Sequence, residues 1–129
     1  MYRTALVAGI IFAALGVVLG AFGAHALKPL LTLESAQTYE TAVRYQMYHA
    51  FALIGTGILF GNYPFKALKT ASTLFIIGVI LFSGSLFLLT TMKLYGEAGL
   101  SGIGILTPIG GLFLIGGWVL LLIGILKKK

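Results

Sequence analysis

Four long runs of this sequence contain no Asp, Glu, Lys or Arg: Thr4–Leu27, Tyr45–Phe65, Thr70–Met92 and Ala98–Leu126. A hydrocarbon layer of about 30 Å takes about 20 helical residues at about 1.5 Å each, so each run is long enough to cross once and too short to cross twice. Inside a bilayer the backbone must satisfy its own polar groups, which leaves helices and closed barrels. Barrel strands alternate apolar and polar residues, whereas these runs are apolar on all sides. The expected fold is all-α: one integral membrane domain over residues 1–129, a bundle of four transmembrane helices at about 4–27, 43–61, 70–92 and 107–126. Composition agrees. Hydrophobic residues make up 59% of the 129 and charged residues 9%, against about 25% charged in a soluble domain. A water-facing surface cannot be assembled from that stock, which excludes a soluble enzyme, a nucleic-acid binder and a disordered tail. Cysteine is absent, so disulfides, thiolate metal sites and cysteine nucleophiles are excluded together.

Orientation follows from the Lys/Arg bias. With four spans, one side holds both termini with Arg3, Lys66, Lys69, Lys127, Lys128 and Lys129. The other side holds Lys28, Arg44 and Lys93 with all three acids, Glu34, Glu40 and Glu97. Both termini are therefore expected in the cytoplasm, and most of the net charge of +6 is this topology signal. Ala24-His25-Ala26 looks like a leader cleavage site, but the apolar run before it exceeds the usual roughly 7–15 residues of a leader. It reads as a retained span.

Many of the 18 glycines fall within the spans. Ala5, Gly9, Ala13, Gly16 and Gly20 make a small-residue stripe on helix 1, and Gly110, Gly117 and Gly124 repeat at heptad spacing on helix 4. Such stripes let helix backbones approach closely, within one chain or between subunits. Lys28-Pro29 ends helix 1, and Thr32 or Ser35 can cap helix 2 with Glu34 in its first turn. Helix 2 is expected over about Ser35 to Gly61, roughly 40 Å long, with Asn62-Tyr63-Pro64 as the turn beyond it. Lys93 to about Leu106 reads as a glycine-rich connection, and Thr107-Pro108 as a helix start, where proline's missing N–H does no harm. Trp118, well inside helix 4, reads as a packing residue.

The candidate site lies at the start of helix 2. On a helical wheel centred on Gln37, Glu40 and Arg44 fall to one side, Thr41, Tyr45 and His49 to the other, and Tyr48 close to the centre. That is one broad polar and aromatic face, with His49 at its edge and Gln46 outside it. Placing Leu27 and Ala42 at the same boundary brings His25 level with Arg44 and Gly20 level with His49. Ionisable groups at such depth are costly and usually mark a function. The ligand-binding candidates are His25, Glu40, Arg44, Tyr45, Gln46, Tyr48 and His49. The bland alternative is interface anchoring: a snorkelling Arg44–Glu40 pair, a tyrosine belt and histidines that bond neighbouring helices. His25, His49 and Glu40 imitate a two-His-one-carboxylate site without tight ligand spacing, so no metal, cofactor or catalytic residue is expected. Ser83 and Ser85 sit mid-helix with no evident partner.

Gly20-Ala21-Phe22-Gly23-Ala24-His25-Ala26-Leu27 resembles the signature of a family of small bacterial membrane proteins of unknown function, the YgdD/YwdK type. Tyr45-Gln46-Met47-Tyr48-His49-Ala50, Phe82-Ser83-Gly84-Ser85-Leu86, and Thr107-Pro108-Ile109-Gly110-Gly111 through Gly117-Trp118 agree in order. The resemblance implies a multi-pass inner-membrane protein with four helices and carries over no activity. Three functions remain open. The first is binding of a lipid or small polar ligand in an outer-leaflet pocket. The second is a small-solute or proton transporter using His25, His49 and Glu40. The third is a scaffold acting through its glycine faces. The expected partners are membrane lipid, a second copy of the chain in a homo-oligomer and other membrane proteins, with no nucleic acid.

Overall fold

The computed structural model describes residues 1–96 and 101–127. Glu97, Gly99, Lys128 and Lys129 lie outside the described residues, with the expectations attached to them. All regular structure among the described residues is helical. Helix α1 spans Arg3–Phe22. It runs on through one π turn, Gly23–Leu27, and one 3-10 turn, Lys28–Leu30. Helix α2 spans Leu33–Leu59, with the Ser35 N–H donating to Thr32 Oγ1 at 3.1 Å and Glu34 in the first turn. The cap satisfies a backbone N–H that has no partner within the helix. The chain turns after Phe60, and α3 spans Lys66–Leu94. Gly96 follows with φ +73, a left-handed conformation that glycine adopts without a Cβ clash.

Helix α4 spans Ser101–Leu126 and carries Pro108 inside it, so its start is earlier than Thr107-Pro108 suggests. Proline removes one helical hydrogen bond and crowds the carbonyl four residues back. Membrane helices tolerate this where neighbours and hydroxyl side chains support the freed backbone. Gly104, four residues back, brings no side chain into the crowded place, and Thr107 Oγ1, 2.6 Å from Ser85 Oγ, ties this turn of α4 to α3.

The helices pack in chain order, α1 on α2, α2 on α3 and α3 on α4, with α1 touching α3 only slightly. Each pair is antiparallel. The α1–α2 and α3–α4 connections therefore share one end, called distal here, opposite the chain termini. Glycines set both outer pairs. A Cβ added to Gly110 would overlap the backbone of Phe82, one added to Gly124 would overlap Leu68, and one added to Gly117 would come within 2.7 Å of the Phe75 ring. Phe82, Phe75 and Leu68 themselves repeat every seven residues, so α3 fills each glycine notch of α4 with a large side chain or its backbone. On α1 the glycines used are Gly9, Gly16 and Gly23, also seven apart, which meet Ala50 and Ile54, Met47, and Tyr39 respectively. The α1–α2 register differs from the boundary match of Leu27 with Ala42. Gly20 meets Val43, not His49. The offset of six residues is about 9 Å along the helix. The glycine notches, and not the span edges, decide how the two helices slide.

Ala5, Leu53, Ala71, Phe75, Val79 and Leu114, from all four helices, form one buried cluster. At the terminal end the Tyr2 N–H donates to Gly57 O at 2.9 Å, and Lys69 Nζ lies 5.3 Å from the Phe60 ring centroid. Among the described residues, three segments are long and apolar enough to cross a membrane: Arg3–Leu30, Lys66–Leu94 and Gly102–Leu126. Helix α2 matches them in length, at 27 residues, but holds the polar cluster.

Gly110→Ala is expected to destabilise the fold by about 1–3 kcal/mol, since the obstacle is backbone that cannot swing away. Gly84 lies on α3 with nothing within 4 Å of an added Cβ, so Gly84→Ala is expected to leave stability unchanged or raise it. Thermal unfolding in detergent, followed by circular dichroism, separates the two. Equal melting of both variants would remove glycine packing as the α3–α4 clamp.

Candidate functional site

The buried positions of α2 are Ser35, Tyr39, Ala42, Gln46, His49, Ala50, Leu53, Thr56 and Gly57. Apart from the doublets, the steps alternate four and three, a heptad seam on the side of the helix roughly opposite Gln37. The polar face read from the sequence is centred near Gln37. Its middle, at Gln37 and Tyr48, is therefore exposed, while Glu40 and Arg44 flank α1, Tyr45 flanks α3 and the edge residue His49 turns inward. Opposite sides of one helix carry two different kinds of polar residue.

The inward set is fully hydrogen-bonded. The Tyr39 hydroxyl donates to Leu19 O at 2.6 Å, and Gln46 Nε2 donates to Phe12 O at 2.9 Å. Both pin α2 to α1. Ser83 Oγ donates to Ala42 O at 2.7 Å, which pins α3 to α2 and supplies the partner the sequence did not reveal. His49 Nδ1 lies 2.7 Å from Tyr45 O, and a carbonyl only accepts, so Nδ1 carries the proton. Nε2 is then the acceptor, and it receives Trp118 Nε1–H at 3.0 Å. Phe75 packs against both rings, at centroid distances of 5.5 Å from His49 and 5.1 Å from Trp118. Trp118 is thus a packing residue with a second task, tying α4 to α2 across α3.

The outward set lies around a groove of about 340 Å³ between α1 and α2 at the distal end. Gly20, Gly23, Ala24 and Lys28 line it from α1 and the turns that follow it. Ala36, Tyr39, Glu40, Val43 and Arg44 line it from α2, and Leu31 closes it at the connection. The groove exists because α1 has almost no side-chain bulk there. Gly23 is compelled by the Tyr39 ring, which an added Cβ would overlap. Most of its lining is apolar, and three exposed charged residues, Lys28, Arg44 and Glu40, complete it. Arg44 Nη2 lies 3.4 Å from Glu40 Oε2, and both side chains are about two-thirds exposed, so the pair is loose and open to a competing partner. A second hollow of about 300 Å³ adjoins it through Leu31, lined by Thr32, Glu34, Ser35 and Lys93, where Lys93 Nζ lies 3.7 Å from Glu34 Oε1.

The seven candidates are therefore not one pocket. Glu40 and Arg44 line the groove. Gln46 and His49, each 5% exposed, hold helices together on the far side of α2. Tyr45 stacks on Phe82 with centroids 4.7 Å apart, and Tyr48 is exposed beside it. His25 is exposed on the π turn and does not line the groove. The shared space expected among His25, Arg44 and His49 is replaced by this division, because the register shift moves α1 past α2 and because α2 turns its seam inward. Among the described residues no three His, Asp or Glu side chains are placed to hold a metal. Lys28 and Tyr39 line the groove without having stood out in the sequence. Their signal was available: Tyr39 stands seven residues before Gln46 in the seam, and Lys28 is the cation nearest the small residues of α1.

These features define a helical membrane protein with a hydrogen-bonded seam on one side of α2 and an open groove against α1. The family described as "Protein of unknown function (DUF423)" matches residues 19–111, and the chain belongs to it. It is 40% identical over 108 residues to "UPF0382 membrane protein SH2409" of Staphylococcus haemolyticus, covering 84% of this chain and 83% of that one. It is 35% identical over 123 residues to "UPF0382 membrane protein YwdK" of Bacillus subtilis, covering 95% of each. To "UPF0382 inner membrane protein YgdD" of Escherichia coli it is 32% identical over 125 residues, covering 97% of this chain and 88% of that one. No solved structure matches. The resemblance read from the motifs is thereby shown, and with it an inner-membrane location.

Removing the indole N–H strands a buried imidazole acceptor. Trp118→Phe is expected to lower stability by about 1–2 kcal/mol. In a double-mutant cycle with His49→Leu, the two losses should fall short of additivity by about 1 kcal/mol. Denaturant unfolding in mixed micelles measures this, and strict additivity would show that the Trp118–His49 bond does not couple α4 to α2.

Proposed function

We propose that the protein crosses the inner membrane four times, both termini cytoplasmic, and holds a lipid-like amphiphile in the α1–α2 groove at the outer surface. The observation that carries this reading is the lining of the groove, apolar along Gly20, Gly23, Ala24 and Val43 and cationic at Lys28 and Arg44. An acyl chain finds a wall without protruding side chains, and an anionic group finds donors in Lys28 and Arg44. The fourth crossing is supported by α2 itself. Its inward polar groups are all bonded, and from Ala50 to Leu59 it is apolar apart from Thr56, whose hydroxyl donates to Ala52 O at 2.7 Å. The Lys/Arg bias supports the orientation. The reading assigns no catalytic step.

Transport has less support, because His49 and Gln46 already have fixed partners. A scaffold role through glycine faces has less support too, because Gly9, Gly16, Gly110 and Gly117 are filled by the chain's own side chains or backbone.

Native mass spectrometry of the protein purified from membranes, with bound lipid extracted and counted, tests the groove. Lys28→Gln with Arg44→Gln is expected to retain about fivefold less lipid, in line with two exposed charge contacts. His25→Ala is expected to retain as much as the wild type. Undiminished retention by the double variant would overturn the reading.

A further inference from the structure

We propose that the groove selects a headgroup bearing both a phosphate and a primary ammonium, the phosphoethanolamine type, with Lys28 and Arg44 taking the phosphate and Glu40 taking the ammonium. This deepens the groove reading and rests on it. The chain contains only three acidic residues, and one of them, Glu40, lines the groove together with Lys28 and Arg44, 3.4 Å from the Arg44 guanidinium. A site for a purely anionic headgroup would be weakened by that carboxylate, since like charges at close range repel. A neutral site would need neither cation. The set of two cations and one acid fits a partner that is itself dipolar.

The geometry gives the mechanism of exchange. Arg44 and Glu40 sit one turn apart on α2, 3.4 Å at their nearest atoms, and both remain largely exposed. Without ligand they compensate each other loosely. With ligand, the guanidinium turns its donors to phosphate, for which its planar fork is suited, and the released carboxylate accepts the N–H donors of the ammonium. A trimethylated amine has no N–H to offer, so a choline headgroup loses that half of the contact. A glycerol headgroup offers hydroxyls but no positive charge. Gly20, Gly23 and Ala24 continue the groove as an apolar wall, which favours the diacyl lipid over the same headgroup free in water.

The experiment reconstitutes the protein in nanodiscs containing equal parts phosphatidylethanolamine, phosphatidylglycerol and phosphatidylcholine, then measures co-purifying lipid after transfer to detergent. The wild type is expected to enrich phosphatidylethanolamine about threefold over each of the others. Glu40→Gln is expected to abolish the enrichment over phosphatidylcholine while total lipid stays within about twofold, and Glu40→Asp is expected to restore part of it. Excess glycerophosphoethanolamine, which lacks the chains, is expected to displace nothing, and displacement by it would overturn the assignment to a lipid. Preference for phosphatidylglycerol, equal retention of the three, or a Glu40→Gln variant with unchanged preference would each overturn the headgroup assignment and leave the groove standing. Loss of all bound lipid by the wild type would overturn the groove as well.

Discussion

Close approach of helix backbones at glycine is the interaction on which everything else in this structure rests. Lipid tails solvate a leucine as well as another leucine does, so apolar side chains alone give membrane helices little reason to associate. What remains is contact at short range, and that requires the absence of a side chain on one of the two surfaces. Gly110 against Phe82, Gly117 against Phe75 and Gly124 against Leu68 provide it for one hairpin, and Gly9 and Gly16 against α2 for the other. The heptad spacing on both partners keeps the contacts on one seam along the length of the helices.

Once the hairpins are fixed, the polar residues of α2 fall into their roles. The seam residues are enclosed, so each polar atom needs a partner, and no buried side-chain nitrogen or oxygen among the described residues is left without one. Two of these bonds go to carbonyls of α1 and one comes from the indole of α4. They specify which helices meet more than they add net stability, since bonds of this kind between membrane helices contribute modestly. Glu40 and Arg44 lie off the seam of the same helix, lining the groove with side chains about two-thirds exposed. Their freedom, and not their depth, is what leaves them open to a ligand.

The number and kind of elements were legible because charge-free length and glycine spacing are local properties. Thr32 as the α2 cap, the turn at Asn62–Pro64 and the heptad glycines of α4 all follow from nearby residues alone. Register was not legible. Matching Leu27 to Ala42 assumes that span edges align, whereas Gly23 against the Tyr39 ring sets the actual slide. The site suffered from the same gap. A helical wheel groups Glu40, Arg44, Tyr45 and Tyr48 on one face, but only the positions of α1 and α3 reveal that Glu40 and Arg44 border the α1 groove while Tyr45 stacks on Phe82 of α3. Trp118 and His49 are 69 residues apart, and no periodicity joins them. Pro108 misled for a different reason: proline is favoured at a helix start, yet here it lies inside α4, four residues after a glycine that leaves room for its ring.

Tyr39 links the fold to the groove. Its ring fills the notch at Gly23, its hydroxyl donates to Leu19 O, and one edge of the same side chain lines the groove. The π turn begins at the residue the ring touches. A π turn widens a helix by inserting a residue, and here it falls where α1 must leave the α2 surface and lead into Lys28. The register of the hairpin and the width of the groove therefore have a common cause. A change that slides α1 along α2 would move Lys28 away from Arg44 and close or split the hollow between them, even with every groove residue retained. The physical content of the segment Gly20–Leu27 is this coupling: small residues for the approach of Tyr39 and a widened turn, with the groove-lining Lys28 next along the chain.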